Sequence, residues 1–252
     1  MPTLPVHHCT LDTRGLPADG PAPATTAGVP APRTATTETA TGGLTSKGPV
    51  FSGTGWRITA QFRTYCLSPS QPYVITFPSQ ALKDRYIPFL TPAVNQLKTL
   101  GLNIDFGDIE TFDYSVIPPR GHIQYGDVYR PLGTAGTSQG LPCYNRADNS
   151  VWGGYARIDS EYWDGSWYLT DVVRKNLLIH ELGHTLGLDH PNSDMNSDGV
   201  IDRFEVVKDA GVSPTMTSPN GGYQDSRAGT YTTYDLNGFK QLLANAPILG
   251  VS

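Results

Sequence analysis

The chain has 252 residues, a net charge of −5 and only 16% charged residues, against about 25% in average domains. That composition excludes a coiled coil or a long helical array. With no block of like charge, a nucleic-acid groove or an anionic membrane surface is a poor fit as partner. No apolar run exceeds three residues, which excludes a membrane-spanning helix.

The first fifteen residues, MPTLPVHHCTLDTRG, lack a basic stretch followed by an apolar one, so they do not read as a signal peptide. Either a leader has been removed or export takes another route. From Pro17 to Pro49, Pro, Ala, Thr and Gly make 26 of the 33 residues. Such a segment cannot bury enough apolar area to offset its ordering entropy. Residues 1–49 therefore read as a flexible N-terminal segment, and residues 50–252 as one folded domain.

From Trp56 to Cys66 apolar and polar residues alternate, the period of a strand with one buried face. Tyr73–Phe77 is a second short strand. Thr91-Pro92 opens a helix that runs to Leu100 and stops at Gly101; a turn starting near Gln80 is expected to be interrupted by Pro88. Strand-like pieces follow at Leu102–Ile109, His122–Tyr129 and Tyr155–Asp159. Residues 131–150 read as loops with at most an edge strand. A helix is expected from Thr170 to Leu186, and a last one over Leu236–Asn245, capped by Asp235 and closed by Pro247. This order predicts an α+β domain.

Residues 180–190 read HELGHTLGLDH. His180 and His184, four apart on a helix, have Cβ atoms about 5–6 Å apart on one face. That spacing suits two imidazole nitrogens at about 2.0–2.1 Å from one zinc ion. Glu181 lies beside the first ligand as a candidate general base. Gly187 can take the left-handed conformation that turns the chain and returns His190 as third ligand. Three nitrogens with one open position is the catalytic rather than the structural pattern.

The HExxHxxGxxH pattern followed by a methionine turn resembles the metzincin metallopeptidases, and HELGHTLGLDH looks most like their matrixin branch. The segment YDLNGFKQLL (Tyr234–Leu243) is similar to the matrixin closing helix. The resemblance implies a metzincin-like catalytic domain: a twisted mixed sheet, a zinc-binding active-site helix and a C-terminal helix. It implies zinc-dependent endopeptidase activity on a protein or peptide substrate. Met216, in SPTMTSPN, is left by elimination as the Met-turn methionine, and Pro219 and Tyr223 are candidates for a substrate-binding wall. The matrixin latency sequence Pro-Arg-Cys-Gly is missing, and HHCTLD around Cys9 is a poor substitute. His122 reads as a sheet residue rather than part of a second zinc site.

Residues 194–205, DMNSDGVIDRFE, match the twelve-position calcium loop. Asp194, Asn196 and Asp198 supply side-chain oxygens, Val200 its carbonyl, Asp202 an oxygen through water, and Glu205 both carboxylate oxygens. Gly199 makes the sharp turn. Calcium is thus expected as a structural cofactor inserted after the third histidine.

The three cysteines, Cys9, Cys66 and Cys143, permit one disulfide and one odd thiol; a Cys66–Cys143 pair across the long loop would add about 4 kcal/mol in the loop-entropy account. Scarce Lys and Glu, with plentiful Ser, Thr, Tyr and Gly, favour a secreted, extracellular monomer with no nucleic-acid or membrane partner. Two other readings stay open: a zinc amidase acting on cell-wall material, and a calcium-dependent binding module with a silent zinc site.

Overall fold

The computed structural model describes residues 48–59, 63–202 and 205–252, together with the backbone of His7–His8. The chain forms a mixed α/β arrangement with a mostly parallel sheet and, among the described residues, four helices. This is compatible with the expected α+β class. The large sheet has seven strands: β1 (His7–His8), β8 (Gln139–Asn145), β9 (Ser150–Asp159), β7 (His122–Val128), β5 (Tyr73–Phe77) and β6 (Ile104–Ile109) in that spatial order, with β4 (Cys66–Leu67) beside β9. Within it β5, β6, β7, β9 and β4 pair in parallel, while β8 runs antiparallel to β9 and β1 antiparallel to β8. A small sheet joins β2 (Ser52–Gly53), β3 (Trp56–Ile58) and β10 (Leu188–Asp189).

Two long helices, α1 (Gln80–Thr99) and α3 (Asp171–Thr185), cover one face of the large sheet. Alternate residues of the strands, Ile75 and Phe77, Ile123 and Tyr125, Ala156 and Ile158, meet Tyr86, Leu90 and Val94 of α1 and Leu178, Ile179 and Leu182 of α3 in one core. Burying each large apolar side chain contributes about 1.5–3 kcal/mol. The Tyr125 hydroxyl donates to the Leu178 carbonyl at 2.9 Å, which pins α3 to the middle of the sheet. On the opposite face Leu141, Cys143, Trp152 and Tyr155 form a smaller cluster. Helix α2 (Glu161–Asp164) follows β9, and α4 (Thr233–Ile248) packs below against β4 and β3.

Several expectations are corrected. The alternating run Trp56–Cys66 is not one strand. It is divided into β3 and β4, with Arg63 in the left-handed region at φ 53°, so the two ends serve different sheets. Helix α1 begins at Gln80, capped by the Ser79 side chain, and continues through Pro88 and Pro92. Each proline removes one helical amide, but the buried face Tyr86, Leu90, Ala93, Val94 and Leu97 outweighs that loss. Helix α4 begins three residues earlier than expected. Thr232 is its cap, and Asp235 at the third position accepts the Thr232 N–H at 2.9 Å and hydroxyl at 2.6 Å. Pro247 lies inside its last turn.

The Cys66–Cys143 pairing is also overturned. Cys66 is free and buried, and Cys143 is disulfide-bonded to another residue. Val151 pairs with Leu67 on one side and with Tyr144 on the other, so β4 and β8 flank β9. Two strand spacings, about 9.5 Å, exceed the roughly 7 Å reach of a disulfide. Burial, with the Asp148 charge adding, pushes the Cys66 thiol up to about 12, which keeps it unreactive. Cys9 lies outside the described residues.

Candidate metal centre

Helix α3 is capped by Thr170, whose side chain accepts the Val173 N–H, and it buries nine consecutive-to-near residues at its C-terminal end, His180 through Thr185 among them. The four-residue spacing sets His180 and His184 side by side, with Nε2 atoms 3.0 Å apart. The helix ends at Leu186, and Gly187 follows at φ 98°. The short strand Leu188–Asp189 then pairs with Ile58 and Arg57 of β3. That pairing fixes the return path, and His190 arrives with its Nε2 3.1 Å from His180 and 3.0 Å from His184. All three imidazoles are buried, and they lie close enough to bind one metal ion.

Backbone carbonyls orient two of the rings. His180 Nδ1 faces the Thr215 carbonyl oxygen at 2.9 Å, and His184 Nδ1 faces the Leu188 carbonyl oxygen at 2.8 Å. A carbonyl oxygen only accepts, so each Nδ1 carries the proton and each Nε2 presents a lone pair. Lone pairs converging at 3.0–3.1 Å repel unless a cation lies between them. Tetrahedral ligands at about 2.0–2.1 Å from zinc stand about 3.3–3.4 Å from one another, so the donor set fits a small divalent ion. Burial holds His190 well below the ordinary imidazole value, and the charges of His180 and Arg57 push the same way. The neutral form is the one that ligates metal.

The floor of the site comes from the segment Thr215–Met216. Met216 is buried, and its sulfur occupies the space where a side chain at Gly183 would go. Gly183 is therefore the position, one turn after Ile179 and between the two helical histidines, that lets the methionine approach the helix. Thr215 contributes the carbonyl that orients His180, and its own N–H donates to Asp235 at 2.8 Å. The roof is β8. Gly140 of that strand rests on the helix backbone at Glu181, and a Cβ there would stand 2.7 Å from the His184 Cβ. Glu181 itself is fully buried.

Other expected residues fall elsewhere. Pro219 follows a cis peptide bond after Ser218. Tyr223 lines a cavity of about 380 Å³ with Asp209, Val212, Arg227 and Tyr234, a lining that contains no metal-binding histidine, and the Arg227 guanidinium lies 4.0 Å from its ring centre. In the loop 194–205 the acidic side chains are turned onto the loop's own amides. Asp194 accepts from Asp198 and Gly199, Asn196 from Asp198, Asp198 from Val200, and Glu205 from Met195, Asn196 and Asp202. Gly199 sits at φ 87°. Val200 and Ile201 are exposed, and Arg203 and Phe204 lie outside the described residues.

Three residues that the motif does not contain hold this site together. Asp235 carries Thr215 and Met216. Asn192 exchanges two hydrogen bonds with Ser218, at 2.8 and 3.0 Å, joining the segment after His190 to the one after Met216. Asn176 of α3 donates to the Gly221 and Tyr223 carbonyls and accepts the Gly229 N–H. Asx residues in polar stretches carry no local signal of such long-range partners. Compared with protein-family models and with characterised proteins, the chain matches none.

Proposed function

We propose that this chain is a secreted zinc-dependent endopeptidase of metzincin, matrixin-like type. The observation that carries the reading is the set of three buried imidazoles whose Nε2 atoms converge within 3.1 Å immediately beside Glu181 on the same helix. His180, His184 and His190 are the residues that would hold the ion. Bound zinc would supply Lewis-acid activation of water and of the scissile carbonyl.

The chain's own groups do the rest. Thr215 and Leu188 keep the imidazoles in the tautomer that presents Nε2. Glu181 takes the proton of the attacking water and returns it to the leaving amine. Gly140, by lacking a side chain, lets β8 lie on α3 at this point, and an extended peptide adds to that strand's outer edge. Of residues 131–150, read from the sequence as loops with at most an edge strand, β8 takes Gln139–Asn145.

Calcium belongs to the same proposal as a structural cofactor of residues 194–205. The twelve-residue pattern supports it, as does a loop already wound with Gly199 at its turn. The disulfide at Cys143 supports an oxidising, extracellular setting. Among the described residues no helix is long and apolar enough to cross a membrane.

Casein hydrolysis, with and without a zinc chelator, beside Glu181→Ala, tests the activity. Chelator-sensitive cleavage that the variant lacks is the expected result. Peptidoglycan hydrolysis without casein cleavage would replace this reading with the amidase, and zinc-free, inactive protein would remove it.

A further inference from the structure

We propose that the cavity between β7 and the loop of residues 110–119, on the sheet face away from α1 and α3, binds a small organic ammonium ion: a nitrogen bearing N–H groups on an apolar body. This inference does not rest on the endopeptidase reading.

The floor of the cavity follows from the pleat of β7. Ile123 and Tyr125 of that strand enter the core under the two helices, so Gln124 between them faces the other side of the sheet. Gln124 is only 3% exposed. Its Nε2 donates to Glu110 Oε1 at 2.8 Å, which fixes the sense of the amide, because the reverse would set two acceptor oxygens against each other. Its Oε1 then has no hydrogen-bond partner among the described residues. A buried acceptor left open is costly and calls for a donor.

Glu110 and Gln124 both line the cavity, whose volume is about 440 Å³, within the range of about 300–1,000 Å³ of small-molecule sites. Glu110 supplies charge. His122 Nδ1 lies 2.7 Å from its Oε2, and its carboxyl is held below the usual range, so it is ionised at neutral pH. A carboxylate has about four acceptor positions, and the bonds to His122 and Gln124 leave capacity for another donor. Asp113 adds a second carboxylate to the lining, and the described lining holds no Lys, Arg or His.

The walls are apolar, from Phe112, Val116, Ile117 and Pro119. Val116 is 70% exposed and Ile117 45%, so these two stand at the mouth. The loop is fixed to the sheet without any ligand. The Tyr114 hydroxyl donates to the Ala156 carbonyl at 3.1 Å, and the Tyr155 hydroxyl donates to the Val116 carbonyl at 3.0 Å. The Tyr114 ring also meets Phe112 edge-on at 5.0 Å.

This combination selects its ligand. The two carboxylates repel an anion. A quaternary ammonium carries the charge but has no N–H for Gln124 Oε1. An alcohol has a donor but no charge. A primary ammonium has both, with three donors to share between the open amide oxygen and the carboxylate, and its apolar body covers the exposed wall. None of His180, His184 and His190 lines the cavity, so binding here is separate from the metal centre.

The test is a calorimetric titration of the full chain at pH 7 with 2-phenylethylammonium chloride. Saturable one-site binding is expected. The trimethylammonium analogue and 2-phenylethanol should each bind at least about tenfold more weakly, and Glu110→Gln should weaken the primary ammonium by a similar factor. Because that variant also alters the bond to His122, Val116→Lys is the second. It sets a like charge at the mouth from an exposed position, and it should cost at least about tenfold in affinity with the melting temperature unchanged. Absence of saturable binding by wild type overturns the site. So does undiminished binding by Val116→Lys, which would place the probe elsewhere. Equal binding of the trimethylammonium analogue or of the alcohol overturns the ammonium assignment.

Discussion

The carboxylate of Asp235 accepts the backbone N–H of Met216 at 3.0 Å. Its other oxygen accepts the N–H groups of Thr215 and Thr232, at 2.8 and 2.9 Å. One buried side chain at the start of α4 thereby holds both the floor of the metal centre and the cap of its own helix. Because Thr215 orients His180, α4 is coupled to the first histidine of the cluster through two hydrogen bonds.

Replacing Asp235 with Ala leaves three buried N–H groups without their acceptor. Each such loss costs about 1–3 kcal/mol, so unfolding free energy should drop by at least about 3 kcal/mol in urea titrations of the metal-free chain. Metal affinity should weaken with it. A variant of wild-type stability and affinity would show that the floor is held by other contacts.

Chemistry and ligation separate in two variants of the histidine helix region. Glu181→Gln removes no ligand, so bound zinc should stay stoichiometric while peptide hydrolysis falls about 10²–10⁴-fold. His190→Ala removes one of three ligands, so zinc should be lost on dialysis at neutral pH. Retained zinc in that variant would identify another third ligand, with Asp189 the nearest carboxylate in sequence. Full hydrolysis by Glu181→Gln would remove Glu181 from the mechanism.

Calcium should act on stability and hydrolysis together. The excursion from Pro191 to Pro214 carries Asp194, Asp198, Asp202 and Glu205 close together in sequence, and it must return the chain so that Met216 lies under the helix. A cation there would replace mutual repulsion with cross-links. Removing calcium with zinc kept saturated should lower the melting temperature and the hydrolysis rate. Asp198→Ala should reproduce the loss and ignore added calcium. Equal melting temperatures in calcium-free and millimolar-calcium buffer, with no calcium by metal analysis, would end this reading.

Acid sensitivity is expected at Glu110. Burial raises its carboxyl, but hydrogen bonds from His122 and Gln124, at 2.7 and 2.8 Å, outweigh that and hold it below the usual 4.5. The unfolded chain then binds more protons than the folded one near that pH, so this contribution is complete above 4.5 and is lost as pH falls through the lower, folded value. Glu110→Gln should flatten the decline in urea midpoint between about pH 5 and pH 3. An unchanged acid limb in the variant would assign it to other carboxylates.

The local sequence by itself determined the parts whose geometry is local. A spacing of four on a helix places His180 beside His184 whatever surrounds them, and a glycine after the last turn permits the left-handed residue that turns the chain toward His190. The short strand Tyr73–Phe77 and the helix opened by Thr170 were legible for the same reason, whereas residues 131–150, read as loops with at most an edge strand, hold the buried strand β8, paired on both sides. Tertiary structure decided the rest. Pro88 reads as a helix end, yet α1 continues because the sheet buries its apolar face. The alternation from Trp56 to Cys66 reads as one strand, yet its two ends belong to different sheets. Asp235 reads as a helix cap, and it is also the acceptor for Thr215 and Met216, about 20 residues earlier. Cys143 could not be matched to a partner from spacing, because pairing depends on which strands flank β9. Hydrogen bonds and cystines between distant segments are selected by which backbones meet, and no periodicity along the chain encodes that.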